Sequence, residues 1–384
     1  MLYFDHNATS PVHPVARAAW LEALDRFAAN PSSPHRWGAR ADAAIADARV
    51  AAAHLLGCAP LDVIWTSGAT EAANALFAHA ASTSTGPALL SAVEHPCVRA
   101  SAQHWFRGRV EVLPVHPSGV VNLDLLSHRL SHGDVALVAV MAANNETGIC
   151  QPWQAVLELC RHQRVPYACD AVQWVGKLPA NGLGACDFVM GSAHKFGGAP
   201  GTGFLKVPRG FKPFLRGGPQ EDGRRAGTEN VPGILAMLAA WQHRETNASP
   251  AAIRQREGWR DAFLGAMAAE LKGIESIGSS APRLWNTASV LMPSPLDCRR
   301  RWVAALDRAG VAASTGSACS SGQEKPSETL LAMGLDPSQT DRMIRFSAGW
   351  ETTEADWLEL LGSVRKAAAF LQQPARVGES ALKE

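Results

Sequence analysis

Residues 192–198 read SAHKFGG and follow the apolar run FVMG at 188–191. Ser192, His194 and Lys195 therefore fall just past a predicted strand end, where α/β proteins place ligand chemistry. A lysine there becomes a nucleophile able to form a Schiff base when burial or a nearby cation lowers its pKa. Alone, it is more often a solvated surface lysine. Upstream, VPYACDAVQW (165–174) puts Asp170 and Gln173 past another apolar run. A carboxylate at that place can pair with a protonated ring nitrogen, although an isolated DAVQ also reads as a surface turn. Further upstream, VIWTSGATEAAN (63–74) is a strand, a small-residue turn and a helix start. Gly68 permits close backbone approach, and the amides of Ala69 and Thr70 face an anion at the positive end of the helix. A fourth stretch, STGSACSSGQ (314–323), carries Cys319 among serine, glycine and alanine, the composition of a flexible arm.

Phosphate donors, a carboxylate and a lysine at three successive strand ends are stronger together than apart. They fit pyridoxal 5'-phosphate (PLP): the helix start for its phosphate, Asp170 for its pyridine nitrogen and Gln173 for its ring hydroxyl.

The elements that must hold these groups are legible as alternating apolar runs and helical patterns. Strands are predicted at 63–67, 88–92, 135–141, 166–169, 188–191 and 203–207, with helices at 37–56, 71–81, 96–106 and 153–164. The first helix has Ala41, Ile45, Ala48, Ala52 and Leu55 on one stripe. This alternation argues for an α/β fold with a mostly parallel sheet covered on both faces. After Gly233 comes a helical stretch, 234–244, and then a hinge at 247–250. A second, α+β unit follows, with helices at 251–274, 298–309 and 354–371 and strands at 287–292 and 343–347. Large and small domains are expected at 12–250 and 251–384, with residues 1–11 packing near the small one and the cysteine loop at 314–325.

Bulk composition narrows the function classes. The chain has 384 residues, 47% apolar and 18% charged, with a net charge of +1. That charge gives no long-range attraction for nucleic acid or an anionic membrane. No apolar run is long enough to span a bilayer, and MLYFDHNATS has no signal-peptide pattern. The eight cysteines, at 58, 97, 150, 160, 169, 186, 298 and 319, form no CxxC pair. Reduced thiols in a cytoplasmic protein and no metal framework are expected. Twelve tryptophans against two tyrosines have no functional reading at this level.

Ten segments occur in an order that resembles one enzyme family: YFDHNAT (3–9), NPSSPHRWG (30–38), TSGATEAAN (66–74), EHPCV (94–98), NNETG (144–148), DAVQWVGK (170–177), SAHKFGG (192–198), GGPQEDGRRAGTENV (217–231), STGSACSS (314–321) and IRFSAG (344–349). They look like a cysteine desulfurase of the NifS/IscS type, in the class V aminotransferase group of fold-type I PLP enzymes. The likeness spans nearly the whole chain.

The resemblance implies a seven-stranded, mostly parallel sheet and a homodimer. It implies that Lys195 carries PLP and moves the substrate α-proton, that Asp170 pairs with the pyridine nitrogen and that Gln173 bonds the ring oxygen. His95 would stack on the ring and handle the proton of the substrate thiol. Thr70, Ser192 and His194, with the backbone of Ala69 and Ala193, would hold the phosphate, and Thr228 would complete the phosphate site of the partner subunit. Asn145 and Arg345 would fix the carboxylate of L-cysteine. Cys319 would take its sulfur as a persulfide, release L-alanine and pass the sulfur to acceptor proteins in iron–sulfur cluster assembly or thiolation pathways. The SGSAC-type motif implies the subgroup with the longer cysteine loop. The chain departs from the family pattern at Ala199 and Pro200, where proline and lysine are usual, and at Pro219, where glycine is common. Selenocysteine lyase, class V aminotransferase and a non-catalytic sulfur-delivery relative are the alternatives.

Overall fold

The computed structural model describes residues 1–293, 299–316 and 326–372. Its largest sheet has seven strands in the order Val63–Thr66, Gly203–Lys206, Phe188–Ser192, Tyr167–Asp170, Leu137–Ala139, Ala88–Ser91, Val110–Leu113. Gly203–Lys206 runs antiparallel to both neighbours, and the other pairings are parallel. The predicted mostly parallel sheet is present. Its central strands are buried on both faces, which explains why they read as unbroken apolar runs rather than alternating ones.

One face is covered by the helices Pro14–Arg26, Arg36–Leu56 and Val231–Asn247, which pack on one another. Arg36–Leu56 starts where the His35 ring accepts from Gly38 N and stops at Gly57, whose φ of 77° suits glycine. Ala41, Ile45, Ala48 and Ala52 of its predicted stripe are buried. The other face is covered by Ala69–Thr83 and Pro96–Phe106, whose Phe77 and Phe106 meet edge to face.

Two differences from the sequence reading have simple causes. Val110–Leu113 was not predicted, because this edge strand is half covered and its Val112 lies open to solvent. The run 135–141 is buried throughout, yet only Leu137–Ala139 pairs in the sheet. Burial here extends beyond the strand into the loop that leads to the site.

A second core gathers Phe4, Phe263, Trp302, Phe346 and Trp357. It is built from the strand Thr287–Leu291 paired antiparallel with Met343–Ser347, and from the helices Pro250–Glu270, Arg299–Arg308 and Glu354–Gln372. The N-terminal strand Leu2–Tyr3 pairs with Val311–Ala312 of this unit. The chain therefore begins against the C-terminal core and then runs, from Asp5 to Thr9, to the sheet. Residues 247–250 are a helix-to-helix junction, with Ser249 capping Pro250–Glu270.

Part of the tryptophan richness finds a place here. The indole N–H groups of Trp285 and Trp350 donate to the carbonyls of Lys177 (2.8 Å) and Gly176 (2.6 Å), and Arg256 lies over both rings. Indole offers a large apolar face and one donor, which suits a seam where loop carbonyls must be satisfied away from water. The segment 217–231 is tied down by Glu221, which is 4% exposed and bidentate with Arg49 at 2.7 and 3.0 Å. No helix among the described residues is long and apolar enough to cross a membrane.

Candidate active site

The parallel strands all point their C-terminal ends at one edge of the sheet, and the chemistry-bearing loops leave from there. A cavity of about 370 Å³ opens at that edge. Ala69, Thr70, His95, Asn145, Asp170, Gln173, Ser192, His194 and Lys195 line it. Nine of the residues singled out in the sequence thus share one wall system, although they are drawn from five loops.

Lys195 closes the short turn Ala193–Lys195 after the strand Phe188–Ser192. Its Nζ donates to the carbonyls of Asn7 and Ala8, both at 2.8 Å. Asp170 ends the next strand, and its Oδ1 accepts from Val172 N at 2.9 Å. Burial pushes the Asp170 carboxyl up to about 6, against the opposing pull of the Val172 N–H and the Lys195 charge. Such a carboxyl is under-compensated and gains from a cationic partner. The helix Ala69–Thr83 begins at Gly68, which has no side chain to cap it. Gly68 has a φ of 150°, and a side chain on Gly203 would meet Gly68 Cα at 2.7 Å. The bare N-terminus of this helix is thus held open at the cavity.

His95 caps the helix Pro96–Phe106, its Nδ1 accepting from Cys97 N at 3.1 Å. Burial, then the charges of Lys195 and Arg99, lower its pKa to about 4. A ring nitrogen that accepts from a backbone N–H is unprotonated, so the neutral ring carries its hydrogen on Nε2. The Cys97 sulfur is 3.0 Å from the same Nδ1 and also lines the cavity. His194 bonds Thr9 Oγ1 at 3.2 Å, and burial with the Lys195 charge lowers its pKa to about 4.

Three of the predicted residues stand elsewhere. Ala193 is fully buried behind the wall, and its N–H donates to the Thr202 carbonyl at 3.0 Å. Arg345 is 1% exposed and off the cavity wall. Its guanidinium bonds Asp5 (2.7 Å) and the carbonyls of Asn145 (2.8 Å) and Gly316 (2.9 Å). Thr228 is exposed and lines an adjoining cleft of about 70 Å³, which shares Ser67 and Gly201 with the cavity. Cys319 lies outside the described residues. The chain leading towards it is held beside the site, because Ser314 and Arg345 exchange backbone hydrogen bonds at 3.2 and 2.7 Å.

The sequence reading missed four contributors. Asn7 and Ala8 supply the carbonyls that hold Lys195, and Asp5 holds Arg345. These three lie in the quoted YFDHNAT; the main-chain carbonyls of Asn7 and Ala8 leave no residue-type signal, and the Asp5 carboxylate meets an arginine 340 residues away. Glu94, inside EHPCV, is 2% exposed, and its Oε1 accepts from Ser91 Oγ and Met141 N, both at 2.8 Å. Burial, then the Asp170 charge, raises its pKa to about 8.

Glu94 gives a prediction with a definite sign. The native state keeps a proton that the unfolded chain releases at the ordinary carboxylate pKa. The stability from this proton is therefore full below about pH 4.5 and is lost as pH rises to about 8. Through that window it costs the native state about 1.4 kcal/mol per pH unit. Glu94→Gln is expected to lack this slope, measured against the wild type by urea unfolding of the ligand-free protein. Comparing the two proteins cancels the histidines. Equal slopes would show that Glu94 is not the group that titrates.

A family model for class-V aminotransferases matches residues 2–360. The chain belongs to the class-V aminotransferase family. Members of this family are PLP-dependent. Within it, the chain is 37% identical over 365 residues to a cysteine desulfurase from Klebsiella pneumoniae, covering 92% of this chain and 89% of that one. Among solved structures it is similar to a NifS-like protein, with a TM-score of 0.87 and 30% identity over 96% of this chain and 99% of that one. It is also similar to SspA in complex with cysteine, with a TM-score of 0.79 and 25% identity over 92% of this chain and 100% of that one. The class-V fold accounts for the seven-stranded sheet and for the edge at which the cavity opens.

Proposed function

We propose that this protein is a PLP-dependent cysteine desulfurase that takes sulfur from L-cysteine, releases L-alanine and holds the sulfur as a persulfide on Cys319. One observation carries the reading: Lys195, Asp170, His95 and an uncapped helix N-terminus converge on one cavity in a chain of the class-V family.

The residues present fit PLP. A buried carboxyl that lacks a cation suits a pyridinium N–H, and a helix start with no capping side chain suits a phosphate. Thr70, Ser192 and His194 would add hydroxyl and ring donors there, with Ala69 offering its N–H; the Ala193 N–H is already engaged by Thr202. Lys195 would carry the cofactor and Gln173 would bond its ring oxygen. Bound PLP supplies an electron sink that weakens the bonds around the substrate Cα.

The remaining steps belong to the protein. Lys195 Nζ moves the α-proton. His95 covers the site and, with its hydrogen on Nε2, presents a donor to the substrate. Arg345 grips the substrate carboxylate by exchanging Asp5, a like-for-like carboxylate, for it. Asn145 supports that carboxylate from the cavity side. The Cys319 thiolate attacks the substrate sulfur, the Cβ–S bond breaks with its electron pair on carbon, and a proton completes L-alanine. The sum, one thiol and cysteine in, one persulfide and alanine out, balances without an external oxidant. Thr228 would complete the phosphate site of a second subunit, which makes the enzyme a homodimer. Acceptor proteins of iron–sulfur assembly or thiolation pathways would discharge the persulfide in the cytoplasm.

The test uses purified protein loaded with PLP. Visible absorption of the lysine-bound cofactor and equal release of alanine and sulfide from L-cysteine with a reductant are expected. Release from L-selenocysteine with none from L-cysteine would replace this reading with a selenocysteine lyase. Pyruvate-dependent amino transfer would replace it with an aminotransferase.

A further inference from the structure

Lys177, the last residue of DAVQWVGK, has no role in the reading above. It is 3% exposed, yet it ends beside the site. Its Nζ donates to two amide oxygens, Asn7 Oδ1 at 2.9 Å and Gln173 Oε1.

Neither amide is free to turn. Gln173 Nε2 donates to the Asn7 carbonyl at 3.0 Å. Asn7 Nδ2 donates to the Asn145 carbonyl at 3.2 Å and to Thr287 Oγ1 at 2.9 Å. A backbone carbonyl can only accept, so each amide nitrogen must face its carbonyl and each amide oxygen must face Lys177. Asn286 Nδ2, itself oriented by the Ala348 carbonyl, fills the second lone pair of Asn7 Oδ1. Gln173 also lines the cavity. With its oxygen turned to Lys177 and one N–H on Asn7, the donor it has left to offer a ligand is its second N–H.

We propose that Lys177 is a positioning residue, which holds the Gln173 amide so that it presents an N–H, and not a carbonyl, to an anionic oxygen of the bound cofactor. This rests on the PLP reading above. Burial, then the charges of Lys195 and Arg345, push the Lys177 pKa well below that of an ordinary lysine, while Cys150 pulls it up. The role survives loss of the charge, because two acceptors need only two N–H groups and a neutral amine has them.

The experiment is a pH titration of the visible band of the PLP-loaded protein. Lys177→Met strips the buried Gln173 Oε1 of its donor and leaves the single bond to the Asn7 carbonyl to hold the amide; once the amide turns, the donor that lowers the proton affinity of the cofactor is lost. The midpoint is expected to rise by about one pH unit, and Gln173→Ala is expected to do the same. In the double variant, Lys177→Met adds nothing to Gln173→Ala. An unchanged midpoint in Lys177→Met overturns the proposal, and so does a full second shift in the double variant, which would make Lys177 a bare charge. If Lys177→Met does not fold, Lys177→Gln carries the test, because it keeps an N–H donor. Its midpoint is expected below that of Gln173→Ala, and a midpoint at or above that value overturns the proposal. A wild type with no visible band would overturn the cofactor reading, and this inference with it. A wild type with the band whose variants titrate alike overturns this inference alone.

Discussion

Lys195→Ala is expected to abolish the visible band of the PLP-loaded protein and to lower sulfide release by about 10³- to 10⁴-fold. The size follows from the surroundings of the amine. Lys195 Nζ lines the cavity and donates to the carbonyls of Asn7 and Ala8, so it is placed to move a proton there. The nearest candidate to replace it, Lys177, is buried behind Gln173 and bound to two amide oxygens. Trapping with borohydride should label Lys195 in the wild type and no lysine in the variant. A variant that keeps the band would place the cofactor linkage on another residue and remove the basis for the mechanism.

Cys319→Ala is expected to keep the visible band and to lose sulfide and alanine release by about 10²-fold or more. Only a thiolate attacks sulfur, and most of the other thiols are held from that state. Burial raises Cys58 to about 11 and Cys150 and Cys160 to about 12, and it raises Cys169 well above the ordinary thiol range. The competing candidate is Cys97, which lines the cavity 3.0 Å from the His95 ring. Cys97→Ala therefore belongs in the same experiment. Loss in Cys319→Ala with activity retained in Cys97→Ala supports the sulfur-carrying arm. The reverse pattern would make Cys97 the acceptor, and the proposed role of Cys319 would fail.

Much of the site was legible because its residues are placed by strand ends. A buried parallel strand is a short apolar run, and the residues that follow it leave at one edge of the sheet. TSGAT, DAVQ and SAHK could therefore be read as neighbours although more than a hundred residues separate the first from the last. The edge strand Val110–Leu113 escaped the same rule, since a half-covered strand need not be uniformly apolar.

What the sequence determined by itself was a set of candidate side chains, the order of the parallel strands' loops and the family. Tertiary structure decided how those side chains are engaged. Arg345 reads as a carboxylate clamp, but long-range folding gives it Asp5 as a partner 340 residues away. Ala193 reads as a phosphate donor, but the neighbouring antiparallel strand leaves Thr202 to take its N–H. Lys177 is only the last letter of DAVQWVGK in the sequence, and it is the N-terminal segment that places Asn7 against it. The physical reason is common to all three. Residue type records what a group can do, whereas the partner that occupies it is a backbone carbonyl, a carboxylate or an amide brought in from a distant part of the chain, and spacing along the sequence carries no trace of that meeting.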